Sequence, residues 1–117
     1  MDQTNKIAYV EFHAIDLEKT RAFFEKVFGW SFTDYGPDYT SFEDGRIAGG
    51  FVRSDKRASM AKGSALVVVF HPQLEEALRR VVEHGGMITQ GIFSYPGGRR
   101  FHFTEPSGNE LSVCSGE

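Results

Sequence analysis

The sequence predicts an α+β fold made of two βαβββ modules, and three observations predict it. The chain reads twice in one order: a strand-like run, an amphipathic helix, then three more strand-like runs. The two helical segments, "LEKTRAFFEKVFG" and "LEEALRRVVEHGG", form an internal repeat. Each of them carries its own start and stop signals. Two such modules should join into a curled mixed sheet around a central cleft, with each helix covering one sheet face and the other faces curling toward each other as the natural ligand site.

In module one (residues 6–54), "IAYVEFHA" has the alternation and the β-formers of a strand. Asp16 stands as a helix N-cap, with Glu18 in the first turn where the helix dipole favours an acid. Leu17, Phe24, Val27 and Phe28 fall on one face, with Thr20 and Arg21 filling the stripe. Gly29 ends the helix as a left-handed cap. Then come "WSFTDY", "YTSFED" and "RIAGGFVR", broken by the turns at Gly36-Pro37-Asp38 and Asp44-Gly45.

A polar linker over residues 55–63, "DKRASMAKG", leads to module two (residues 64–115). There "ALVVVFH" is apolar enough for a sheet interior. Pro72 opens a helix in which Leu74, Ala77, Leu78 and Val81 share a face, and Gly85 caps it. "MITQGIF", "RRFHFTE" and "NELSVC" complete the repeat, with Gly108 and Asn109 giving the last turn its backbone freedom.

Composition bounds what the chain can do. Its 117 residues make one domain, and 40% apolar content with eleven Phe supplies a core without disulfides. Net charge is −3 with no basic stripe, which argues against nucleic acid as a partner. Cys114 is the only cysteine, so no disulfide framework or Cys-rich zinc site is expected. The polar start "MDQTNK" and the lack of a long apolar run point to a cytoplasmic protein with no membrane contact.

Strand alternation selects the candidate site. Tyr9, Glu11 and His13 share one face of the first strand, and Val10 and Phe12 suit the helix side. The polar trio therefore faces the cleft. Glu11 is either a general base or binding carboxylate, with Tyr9 donating to it, or a rim charge paired with an arginine such as Arg53. In the last strand Glu110, Ser112 and Cys114 share the cleft face, while Leu111 and Val113 pack under a helix. Leu66 and Phe70 of the apolar strand complete the ligand-binding set. Trp30 and Phe51 read as core, and His71 and His84 as structural. His102 points opposite to Phe101 and Phe103. Arg99 and Arg100 are solvated or hold an anion at the rim.

The element order, with "DLEKTRAFFEKVFGW", "EEALRRVVEHGGMI" and "FTEPSGNELSV", resembles the vicinal oxygen chelate superfamily of glyoxalases, bleomycin-resistance proteins and extradiol dioxygenases, above all its small glyoxalase-related members. In that family a divalent metal in the cleft is held by His, Gln or Glu from the first and last strands of each module. The resemblance places those four positions on Tyr9, Leu66, Ser112 and the Gly49–Phe51 stretch, none of them a usual ligand. It implies a homodimer that binds a small molecule, with the usual metal site lost and no cofactor. The alternative is a lyase or isomerase related to lactoylglutathione lyase, with Glu11 and His13 moving protons or Glu11 holding an off-centre metal with His13 or Glu110.

Overall fold

The computed structural model describes residues 2–116. Module one runs β1 (Tyr9–Ala14), α1 (Leu17–Phe28), β2 (Ser31–Asp34), β3 (Tyr39–Glu43) and β4 (Ala48–Arg53). Module two repeats it with β5 (Val67–Phe70), α2 (Leu74–Glu83), β6 (Met87–Tyr95), β7 (Gly98–Thr104) and β8 (Glu110–Ser115). The first sheet has the order β1-β4-β3-β2 and the second β5-β8-β7-β6. In each, the strand before the helix lies parallel to the module's last strand, and the other pairings are antiparallel. A parallel pair requires a crossover, and here the intervening segment supplies it.

The capping signals act as the residue types dictate. Asp16 is extended and its Oδ1 accepts from the Lys19 backbone N–H at 3.0 Å, while Gly29 takes φ +73°. The second helix begins at Leu74, two residues after Pro72, because the side chain of His71 folds back and its Nδ1 accepts from Gln73 N at 3.0 Å. Gly85 takes φ +98° just beyond the end of α2.

A single core unites the modules. Phe24 stacks on Trp30 at 4.6 Å and on Phe51 at 5.4 Å, and Trp30 stacks on Phe42 at 4.5 Å. Phe23, absent from the predicted stripe, is as buried as Phe24 and packs on Phe103 of β7 at 5.8 Å. Phe28 also reaches Phe103, at 6.2 Å. Helix α1 therefore touches the covered faces of both sheets, which accounts for its second apolar face. The Arg80 guanidinium of α2 donates to the Lys26 carbonyl of α1 and ties the helices together. With both covered faces turned toward one helical layer, the two open faces point outward.

The linker is pinned rather than free. It contains a single 3-10 turn, Met60–Lys62, and Ala58 N donates to Asn109 Oδ1 at 2.7 Å. Asn109 is more than a turn residue: it is fully buried, and its Nδ2 donates to the His13 carbonyl at 2.7 Å. Its neighbour Glu105 is 2% exposed and accepts from Thr20 Oγ1, Ser107 N, Asn109 N and Asn109 Nδ2. Burial pushes the Glu105 carboxyl above its usual range, and these donors pull it back only in part.

Candidate functional site

On the first sheet, the register places Tyr9, Glu11 and His13 of β1 on one face with Gly50 of β4 and Tyr39 and Ser41 of β3. The opposite face carries Phe12, Phe42 and Phe51 into the core. This apolar-in, polar-out pattern is what alternation promised for β1. Tyr39 OH donates to Glu11 Oε2 at 3.0 Å, and the Tyr9 and Tyr39 hydroxyls are directly bonded. Tyr9 OH also approaches Ser41 Oγ at 3.4 Å, and Ser41 Oγ donates to the Gly49 carbonyl at 3.0 Å. Burial, then the neighbouring Tyr9 and Glu11, push the Tyr39 phenol well above its ordinary value, so it stays a donor.

Gly50 makes this arrangement possible. A Cβ there would collide with the Tyr39 hydroxyl and stand 2.7 Å from that of Tyr9, so the two phenols lie over bare backbone. Glu11 itself is exposed and His13 half-buried. His13 Nδ1 is buried and has no hydrogen-bond partner among the described residues.

The open face of the second sheet is different in kind. Val68 and Phe70 of β5 are 40% and 64% exposed. Beside them lie Ser112 and Cys114 of β8, then Arg100 and His102 of β7. Ser112 is buried and its hydroxyl donates to the Phe101 carbonyl at 2.9 Å. Glu110 is half-buried at the head of β8, where its Oε1 accepts from Met60 N at 3.0 Å. Leu66 is half-buried just ahead of β5. Cys114 is a free, half-buried thiol.

The predicted site residues thus fall into two groups. The structure brings Tyr9, Glu11 and His13 together on the first sheet, and Leu66, Phe70, Glu110 and Ser112 on the second. No hydrogen bond joins the groups among the described residues. The Glu11–Arg53 pairing considered from sequence does not form. Arg53 pairs with Ala14 in the register, which puts it on the other face, and it donates to the Pro37 carbonyl at 2.8 Å and to Asp38 Oδ1 at 3.2 Å. The partner of Glu11 is Tyr39, which the sequence reading missed. Its only signal is parity with Ser41 in a strand whose register to β4 has to be known first.

A resident divalent metal finds little here. No group of three or more His, Cys, Asp or Glu side chains converges among the described residues. Of the four positions singled out from sequence, Tyr9 is bonded to Tyr39, Gly50 lies beneath both phenols, Leu66 has no donor, and Ser112 spends its proton on a carbonyl.

The chain matches the family described as Glyoxalase/Bleomycin resistance protein/Dioxygenase superfamily over residues 6–113. No curated protein matches it in sequence. Among solved structures, it resembles a glyoxalase-related enzyme from Fulvimarina pelagi (16% identity, TM-score 0.79, covering 95% of this chain and 88% of that one). It is similar to the fosfomycin resistance protein of Listeria monocytogenes (14% identity, TM-score 0.79, 97% and 94% covered). It also resembles lactoylglutathione lyase from Agrobacterium tumefaciens (17% identity, TM-score 0.69, 98% and 96% covered). At these identities the likeness is one of fold, and it agrees with the repeated βαβββ order and the match over nearly the whole chain. The protein belongs to the glyoxalase/bleomycin resistance protein/dioxygenase superfamily.

Proposed function

We propose that this protein binds a small organic molecule on the Tyr9–Tyr39–Glu11 face without a resident divalent metal. The observation that carries this reading is the hydrogen-bonded row of two phenols and a carboxylate on an open sheet face. Polar side chains lined up over a glycine, on the face away from the core, have no packing task there. They fix one another's orientation and leave hydroxyl and carboxylate oxygens for a ligand. The donor set at the four expected metal positions does not fit zinc, nickel or iron, since a phenol bonded to another phenol, an alkyl side chain, a glycine and a hydroxyl committed to a carbonyl offer no imidazole, carboxylate or thiolate. The fold leaves chemistry undecided, because one scaffold hosts many activities.

The second wall of the site comes from another copy of the chain. Both open faces point away from the shared helical layer, and β1 and β5 are sheet edges. An open face bearing exposed Val68 and Phe70 is an association surface unless it is covered. A homodimer that seats the second sheet of one copy over the first sheet of another covers both.

A second reading has one specific observation behind it. The Tyr39 hydrogen bond orients Glu11 as a general base must be oriented, which suits a lyase or isomerase that moves a proton on its substrate.

A thermal-shift screen against metabolites and aromatic antibiotics, followed by titration of each hit on wild type and Glu11→Gln, tests the proposal. The expected result is a folded variant with at least about tenfold weaker binding, as for loss of one charge-assisted contact. Unchanged affinity together with a raised melting temperature would mean that Glu11 is only an uncompensated surface charge.

A further inference from the structure

Arg100 is held in an arrangement that folding does not require. Its neighbour Arg99 points to the helix side and forms a two-point pair with Glu75 of α2, at 2.7 and 3.1 Å. Alternation then sends Arg100 to the open face of the second sheet, where its register partners are Cys114 and Phe93. Its guanidinium lies 5.5 Å from the Phe93 ring centroid and 5.1 Å from that of Tyr95. Two aromatic faces hold the planar cation in place without neutralising it. Its Nε is buried and meets no acceptor among the described residues.

His102, two residues along the same strand, completes the cluster. It is 8% exposed, its ring meets Phe93 edge-on at 5.6 Å, and its Nε2 is also buried without a partner among the described residues. The groups around it are Arg100 on β7, Glu110 and Ser112 on β8, and Gln90 and Phe93 on β6. Burial and the Arg100 charge lower its titration below the ordinary imidazole value, while Glu110 opposes them. Buried donors without acceptors are costly and therefore rare. The Arg100 Nε–H is such a donor on a cation clamped between rings, and His102 beside it leaves a second buried polar atom unpartnered among the described residues, so an anion at this point would satisfy the guanidinium and draw a proton onto the imidazole.

The geometry points to an oxyanion subsite at Arg100 and His102, which holds the carboxylate of a small organic ligand whose apolar part lies against Phe93 and Tyr95. A fixed guanidinium presents its N–H groups in a fork that matches two carboxylate oxygens. This deepens the small-molecule reading above and rests on it: with the two sheets on facing copies, the ligand's anionic end meets Arg100 and its polar end meets Glu11 and Tyr39.

Benzoate and benzamide are the probes, equal in shape and different in charge. Titrating each into the full-length protein while following the Arg100 Nε–H and His102 ring resonances by NMR reads the subsite directly. Benzoate should shift both signals and move the His102 titration to higher pH, because a nearby anion favours imidazolium. Benzamide should bind at least about tenfold more weakly, and Arg100→Gln should lose the benzoate preference by a similar factor. Arg100→Lys keeps the charge without the planar fork, and it should retain part of that preference. Equal binding of the two probes would overturn the oxyanion assignment and leave the small-molecule site standing. A benzoate affinity unchanged in Arg100→Gln would do the same. Binding of neither at tens of millimolar would also sink the assignment, while the Glu11→Gln titration still judges the broader reading. If Glu11→Gln shifts the Arg100 Nε–H signal in ligand-free protein, the acceptor is Glu11 of a second copy and the ligand subsite is wrong.

Discussion

Gly50 and Glu105 show how single residues set the site and the frame beneath it. The atoms nearest a methyl at Gly50 are the far ends of Tyr39 and Tyr9, which can swing away, so Gly50→Ala should fold with stability within about 1 kcal/mol of wild type. It should nevertheless displace the phenols and weaken ligand binding as much as Tyr39→Phe does. Melting temperature and ligand titration on both variants check this. Glu105 is buried with two donors on each oxygen, so Glu105→Gln turns an amide N–H₂ against donors and should cost about 1–3 kcal/mol. The raised carboxyl of Glu105 also fixes a sign. A folded pKa above the unfolded one means the native state holds the proton more tightly, so this contribution is full at low pH and is lost as pH rises through the raised value. The stability gap between wild type and Glu105→Gln should therefore shrink between pH 4 and 7, and a gap that widens would show the carboxyl is not raised. Parity alone exposed Tyr9, Glu11 and His13 in the sequence. Tyr39 and Glu105 were not legible, because one requires the β1-β4-β3 order and the other requires donors from α1 and from its own turn.

At the level of elements, the strands and helices were legible where local chemistry decides. Asp16, Gly29 and Gly85 act at the ends predicted for them. The start of α2 was misread because the His71 side chain, rather than Pro72, organises the turn before it. The burial of Phe23 was hidden for a different reason: a one-stripe reading assumes a helix serves one sheet, and α1 serves two. Asp16→Ala should remove the bond to Lys19 N and cost about 1 kcal/mol, lowering the melting temperature by roughly 4 °C in a domain of this size. Phe23→Ala should cost about 3–5 kcal/mol, because it opens a cavity where the modules join. Denaturant titrations that put Phe23→Ala no lower than Asp16→Ala would show that α1 does not bridge the two sheets.

For the molecule as a whole, the repeat told of two sheets but not of which faces meet. That choice is made by long-range packing of Phe23 and Phe28 on Phe103, and no periodicity reports it. The outcome leaves a polar face with Glu11 on one sheet and an apolar, cationic face with Phe70 and Arg100 on the other. In the proposed homodimer the two faces would complement each other between copies. Phe70, the one aromatic of β5 and 64% exposed, should be a centre of that contact. Sedimentation of wild type beside Phe70→Glu at micromolar concentration tests whether the two open faces meet between copies. The wild type should sediment at twice the 13.1 kDa chain mass, and the variant should fall to the single-chain mass. A wild type that sediments only at 13.1 kDa, or a dimer indifferent to Phe70→Glu, would rule out that contact.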